Sequence, residues 1–372
     1  MTDLDAEWEA FQNQLTTNNQ QNYIDETIEE NEELDIPKCS DIYISTQTKI
    51  AYLNSQINLY EVFWKLEVID YYKQEDGIIK KSIKINCDTP EQVTELENNI
   101  KKNKNVDVHI LSQVNNPNAR KTKFKDVRKI DIGLSKKDLV SYRKKKKGAF
   151  YNCFAIIMRI LYKGEYKEVH VKIFNTGKLE IPGIQYDELL TITLDKLVTV
   201  LQPLTNDSLT YNKNDISTVL INSNFSCGFF IDRFKLYEIL KLKYNIIAAY
   251  DPCSYPGIQC KFYYNKYNTF EGQLHLGYKI NYNDLPAHSD LVRTFNKEDY
   301  DKSWQEISFM IFRTGSVLIV GNCDSFVLNI IYEFLKKVLV EEYPNIYIKN
   351  NNNKKKKAVK KIRKKTVLFT IK

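Results

Sequence analysis

The sequence predicts an α+β fold in which two tandem copies of one unit build an antiparallel sheet. Three observations carry this. An apolar run, a turn holding Thr-Gly and a second apolar run occur at 306–326, EISFMIFRTGSVLIVGNCDSF, and are written earlier at 168–189, EVHVKIFNTGKLEIPGIQYDEL. The helix-like LYEVFWKL at 59–66 has a counterpart in LYEILKL at 236–242. The segments around these pairs also repeat in order: strand, helix, several strands, then a long closing helix.

Taken along the chain, DIYISTQTKI alternates as a strand, and INLYEVFWKLEVI places apolar residues at helical spacing. An inserted segment, about 68–146, has its own pattern. In it KKSIKINC reads as a strand, TPEQVTELENNIKK as a helix opened by Thr89 and Pro90, VDVHILSQV as another strand, and NNPNARKTKFKDVRK as a basic loop. RKKKKGAFYNCFAIIMRILY then runs from a charge cluster straight into a strand. KEVHVKIF and KLEIPGI flank a turn at Gly177, where glycine supplies positive φ, and YDELLTITLDKLVTVLQPL closes the first unit as a helix. The second unit follows with the strand DISTVLINSNF, the helix IDRFKLYEILKLKY and the strand GIQCKFYYN. GQLHLGYKINYN, in a second insertion at about 265–304, reads as a further strand. EISFMIF and SVLIVGN flank the Gly315 turn, and DSFVLNIIYEFLKKVLVEEY is the closing helix. The expected organisation is an acidic tail over 1–38, units over 39–204 and 213–346, and a basic tail over 349–372.

Composition narrows the function. A chain of 372 residues with 43% hydrophobic content can bury a substantial core, and a net charge of +7 permits a polyanionic partner without requiring one. No run of about 18 apolar residues is present, and the opening MTDLDAEWEAF is acidic where a secretory signal is basic and then apolar, so an intracellular protein is expected. Seven cysteines without Cys-x-x-Cys spacing, and His109, His170, His275 and His288 far apart in sequence, point to structural thiols and no metal. Phosphate-cradling glycine loops, a nucleophile elbow and His-Glu-x-x-His are all missing, which points away from an enzyme. Charge is segregated: 1–37 holds eleven acidic and no basic residues, and 349–372 holds eleven basic and no acidic ones. Both ends are expected to be largely disordered. The final TVLFTI has the composition of an edge strand.

YNCFAIIMRI followed by VKIFNTGKLEIPG, and YDPCSYPGIQCKF followed by MIFRTGSVLIVG, resemble the two repeats of the TATA-box-binding protein (TBP) family. The resemblance spans roughly 40–345 and is strongest over 150–203, 250–264 and 306–343. The Asn/Lys/Tyr/Ile-rich composition and the long insertions are similar to divergent TBP-like proteins of large nucleocytoplasmic DNA viruses. What the resemblance implies is a saddle: two tandem repeats forming a curved antiparallel sheet with helices on the convex face. Its concave face would bind the minor groove of AT-rich promoter DNA and nucleate viral transcription initiation, with aromatic pairs wedged between base steps. By motif position those pairs are Phe154 with Phe174 and Tyr255 with Phe312; Tyr255 departs from the family's phenylalanine. Arg159 and Lys261 match phosphate-contacting positions, Lys178 matches a turn lysine that Ser316 replaces in the second unit, and Asn222 matches a central base-contacting asparagine, with Thr46 or Gln47 opposite.

No cofactor is implied. The expected partners are double-stranded AT-rich DNA and transcription initiation factors or a viral RNA polymerase, in a viral factory, nucleus or virion. Two other readings share the fold: an architectural or virion-packaged non-specific DNA-binding protein, and a TBP-fold interaction module that has lost DNA binding. A glycosylase-like enzyme lacks a catalytic carboxylate in the matched motifs. The RKKKK run at 143–147 is placed to meet phosphate, and DAEWEAF sets Trp8 and Phe11 among acids as a segment able to fold onto a partner or onto the basic groove. If it covers the groove, deleting 1–37 tightens DNA binding.

Overall fold

The computed structural model describes residues 36–140, 150–205, 208–267, 277–285 and 290–349. The chain divides between Pro37 and Lys38, and the fold is that of the second unit. The acidic segment 1–35, the RKKKK run, His275, His288 and the basic segment from 350 onward lie outside the described residues.

The first half holds β1 (Tyr43–Tyr52), α1 (Leu59–Lys65), β2 (Gly77–Cys87), α2 (Pro90–Lys101), β3 (Val106–Asn115), β4 (Phe124–Gly133), α3 (Lys136–Val140), β5 (Cys153–Tyr162), β6 (Glu165–Phe174), β7 (Lys178–Ile184) and α4 (Asp187–Leu201). The second holds β8 (Ser217–Ser226), β9 (Phe230–Ile231), α5 (Arg233–Leu242), β10 (Ile247–Ala249), β11 (Gly257–Tyr264), α6 (Asp290–Thr294), α7 (Lys297–Lys302), β12 (Gln305–Phe312), β13 (Ser316–Gly321), α8 (Ser325–Glu341), α9 (Tyr343–Ile346) and β14 (Tyr347–Ile348). Twelve of the strands form one antiparallel sheet in the order β10-β11-β12-β13-β8-β1-β7-β6-β5-β2-β4-β3, while β9 pairs with β14. The class is α+β. Outward from the central β1–β8 pair, the order β7-β6-β5 on one side matches β13-β12-β11 on the other.

Strand alternation gives the sheet two unlike faces. Register puts Ile156 opposite Val171, Ile173 opposite Leu179, and Leu179 opposite Ala51; in the second half Phe309 lies opposite both Ile319 and Cys260. All of these are buried, and they share the face that packs on the helices. The closing helices supply the other side of the core through Leu190, Leu194 and Leu197 of α4 and Leu328, Ile331 and Leu335 of α8, residues spaced three and four apart. Starts of the helices follow local chemistry. Thr89 accepts from the Gln92 amide with Pro90 in the first turn of α2, Asp232 accepts from Phe234 and Lys235 at α5, and Asp324 accepts from Val327 at 2.8 Å at α8.

The Thr-Gly motif closes equivalent turns. Gly177 (φ +83°) and Gly315 (φ +77°) donate to the carbonyls of Phe174 and Phe312 at 3.0 and 2.9 Å. A Cβ at Gly177 would lie 2.6 Å from the Ser55 carbonyl oxygen, and one at Gly315 2.2 Å from that of Phe229, so both positive φ and close approach demand glycine.

Two expectations need correction. The second half of the expected basic loop 115–129 belongs to β4. Its charges are tolerated in a strand because Arg128 and Asp126, both buried on the helix side, pair with each other at 2.8 and 2.9 Å, with Glu97 at 3.1 Å. The strand expected in GQLHLGYKINYN is not formed over 277–283: Tyr282–Asp284 make a helical turn instead, and 272–276 lie outside the described residues. The segment expected to be the first insertion supplies β2, β4 and β3, which continue the sheet beyond β5 to its edge. Within it Lys81 is buried, its ammonium donating to the carbonyls of Phe63 and Leu66 at the end of α1, at 2.7 and 2.6 Å. Among the described residues no helix is long and apolar enough to cross a membrane.

Candidate nucleic-acid interface

The face of the sheet turned away from the core carries every second residue of the same strands. At its centre Asn222 stands opposite Thr46 on β1 and Val320 on β13, and Asn224 stands opposite Leu318. Thr48 and Leu220 are paired there, with Leu220 40% exposed. The register makes Thr46, and not Gln47, the residue beside Asn222 in this apolar surround; Gln47 pairs with Ile221 on the other side of the pleat.

Phe312 ends β12 and is brought together with Tyr255. Their ring centroids are 6.0 Å apart at 59°, and the Tyr255 hydroxyl turns back to the Met310 sulfur at 3.4 Å. Gly257 lies across from Phe312 and makes room for both rings, since a Cβ there would be 3.0 Å from the Phe312 ring and 3.1 Å from that of Tyr255. The loop that delivers Tyr255 is organised by Asp251. Its carboxylate accepts from the Cys253 amide at 3.0 Å and from the Ser254 hydroxyl, and its carbonyl accepts from the Tyr255 amide at 3.0 Å.

The other end differs. Phe174 ends β6 on the open face, half-buried, with the Lys178 ammonium 5.7 Å from its ring. Phe154 is not beside it. Phe154 pairs with Ile173, is fully buried on the helix side and packs edge-on against Phe63 at 5.9 Å, so it is a core residue. One residue of register separates the faces, and the position opposite Phe174 is Cys153. Phe150 and Tyr151, 65% and 56% exposed, precede it and were passed over by the motif.

Arg159 is also committed elsewhere. It is buried, and its guanidinium donates to the carbonyls of Tyr71 at 2.9 Å and Lys73 while lying over the Tyr71 ring at 4.6 Å. It fastens the segment 71–73 to β5. Lys261 is exposed on the open face opposite Ser308, and its ammonium is 2.8 Å from Glu306, which raises its pKa. Lys172 and Glu180 pair likewise at 2.6 Å. His170, on the same face of β6, is held below its usual pKa first by burial and then by Lys172, Lys137 and Lys80, so it is uncharged at neutral pH.

The extension of the open face over β2, β4 and β3 brings Asp107, His109 and Asp131 within 4.8 Å of one another. His109 is 3.0 Å from Asp107, and Asp131 takes the Lys129 ammonium at 3.0 Å and the Ser82 hydroxyl. The place a cation would take beside Asp131 is filled by the lysine. All seven cysteines are thiols, five of them buried.

No protein-family model matches the chain. In sequence it is similar to the TATA-box-binding protein-like protein of Acanthamoeba polyphaga mimivirus, 24% identical over 212 residues, which covers 54% of this chain and 50% of that protein. The match therefore spans half the relative's length. Among solved structures it is similar to Methanococcus jannaschii TBP, with 12% identity, a TM-score of 0.35, and coverage of 82% of this chain and 99% of that one.

Proposed function

We propose that this chain, a divergent relative of the TATA-box-binding protein-like proteins, lays the open face of its sheet in the minor groove of AT-rich promoter DNA and nucleates transcription initiation without chemistry of its own. The observation that carries the reading is the Tyr255–Phe312 pair, two rings 6.0 Å apart at a hairpin end, cleared by Gly257, with Phe174 in the matching hairpin of the other half. In this reading β1, α1, β5–β7 and α4 form one saddle repeat and β8, α5, β11–β13 and α8 the other. Asn222 with Thr46 faces the central base pairs, Leu220 and Leu318 suit the apolar floor of the groove, and Lys178 reaches a phosphate. Large exposed apolar residues on the helices, Phe234, Leu242 and Phe326, suit initiation factors or a polymerase, in an infected cell or a virion.

One observation favours a second reading, an interaction module that no longer holds DNA. Lys172, Lys261 and Lys129 on the open face are each paired with a carboxylate, which lowers the positive potential a duplex would meet. End-labelled AT-rich and GC-rich duplexes separate the readings when anisotropy and end-to-end energy transfer are followed across a salt series. Preference for the AT-rich duplex with shortened ends supports the proposal. Equal, unbent binding supports the architectural alternative, and no binding supports the interaction module.

A further inference from the structure

Phe150 and Tyr151 lie immediately before β5 and belong to neither the core nor the strand. Asn152 follows them in a left-handed conformation, φ +57°, and so turns the chain between the two rings and the strand. Its carbonyl accepts from the Asn175 amide at 3.2 Å, which ties this turn to the residue after Phe174. The Lys172 ammonium is 4.8 Å from the centre of the Phe150 ring, and that of Lys84 is 3.4 Å from the centre of the Tyr151 ring. Both lysines rise from the open face: Lys172 stands opposite Ala155 and Glu180, and Lys84 lies two residues beyond Ser82, which also stands opposite Ala155. The two rings are therefore placed over the open face, at the end of the sheet where Phe174 stands.

The second half has a comparable order of residues, and there the rings of Tyr255 and Phe312 are 6.0 Å apart. There Phe312 faces the small Gly257, and its aromatic partner Tyr255 comes from two residues upstream. In the first half Phe174 faces the small Cys153, and two residues upstream stands Tyr151, with Phe150 next to it. In each half the residue across from the strand-end phenylalanine is small, and the aromatic comes from the chain entering the neighbouring strand.

We propose that Phe150 and Tyr151 are the stacking partners of Phe174 and contact the bases of an opened step at that end of the duplex. This rests on the duplex-binding reading above. Aromatic faces hold bases without regard to sequence, and Lys84 beside the Tyr151 ring places positive charge toward the flanking phosphates.

The test uses the full chain and AT-rich duplexes in which 2-aminopurine, whose fluorescence rises on unstacking, replaces adenine at one step at a time. The wild type should brighten two steps. Phe150→Ala with Tyr151→Ala should weaken binding by about tenfold for each ring that stacks. It should also abolish the signal at the step that Phe174→Ala abolishes, and spare the step that depends on Phe312. Val340→Ala, on the helical side, should change nothing. Wild-type affinity and both signals in the double variant, with one step silenced in Phe174→Ala, would overturn this proposal alone. No brightening at any step in the wild type would overturn the duplex reading, and this proposal with it.

Discussion

Adjacent residues Cys153 and Phe154 point to opposite faces of β5, and that one-residue difference decides what Phe154 does. Its ring is fully buried against Phe63, so Phe154→Ala should cost about 3–5 kcal/mol of stability. Phe174→Ala, on the half-exposed face, should cost far less stability and act on DNA binding. Urea unfolding of both variants checks this, and equal destabilisation would place both rings in the core. Lys81 offers a second residue-scale test. Burial lowers its pKa from 10.5 to about 8, although two carbonyls accept from its ammonium. In the unfolded chain the group stays protonated to about pH 10.5, so between pH 8 and 10.5 the unfolded state binds more protons and stability rises with pH. The gain is roughly 3 kcal/mol for a shift of this size. The stability difference between the wild type and Lys81→Met should climb in favour of the wild type across that window. A flat difference would mean that the ammonium keeps its ordinary pKa.

At the scale of elements, the first insertion is part of the sheet, and Arg159 is its fastening. The guanidinium holds two carbonyls of the segment entering β2, and Asp76 in the same segment accepts from the Leu161 amide at 2.6 Å and pairs with Lys196. Arg159→Ala should destabilise the protein by about 1–3 kcal/mol and raise amide exchange over 69–78, leaving AT-rich affinity unchanged. Weakened affinity with unchanged exchange would return Arg159 to the phosphate role that its motif implies. Much at this scale was legible in the sequence: β5–β7, β11–β13 and the closing helices announce themselves by alternation, Thr-Gly turns and helical spacing. The first half of β4 was not legible, because its core-facing positions there are Asp126 and Arg128, which satisfy each other, so apolar alternation begins only at Ile130 and Ile132. The pairing of Tyr255 with Phe312 was legible because Phe312, the Thr-Gly turn and the Tyr-Pro-Gly run each carry their own signal. The first aromatic end was misread because a motif position fixes a residue only to within one step of the pleat, and one step exchanges the faces. Phe150 and Tyr151 left no periodic signal, since a left-handed Asn152 separates them from the strand.

For the whole molecule, the governing quantity is how its charge is arranged. The eleven acids of 1–37 and the eleven bases of 349–372 cancel, so the net charge of +7 lies on 38–348, where several open-face lysines are paired with carboxylates. Sheet binding should therefore depend on shape and stacking more than on counterion release, while the basic segment should bind any duplex through phosphates. Comparing the full chain with one ending at residue 348 separates these contributions. The slope of log affinity against log salt should become less steep by roughly one for each phosphate that the truncated chain no longer neutralises, with overall affinity falling for AT-rich and GC-rich duplexes alike. The ratio between the two duplexes should then widen, because the contribution common to both has been removed. An unchanged slope would place the phosphate-binding groups on the sheet itself, and the ion pairs of Lys172 and Lys261 would have to open when DNA binds. A ratio that collapses on truncation would show that the AT preference depends on the basic segment, and the open face would then be read as a surface for protein.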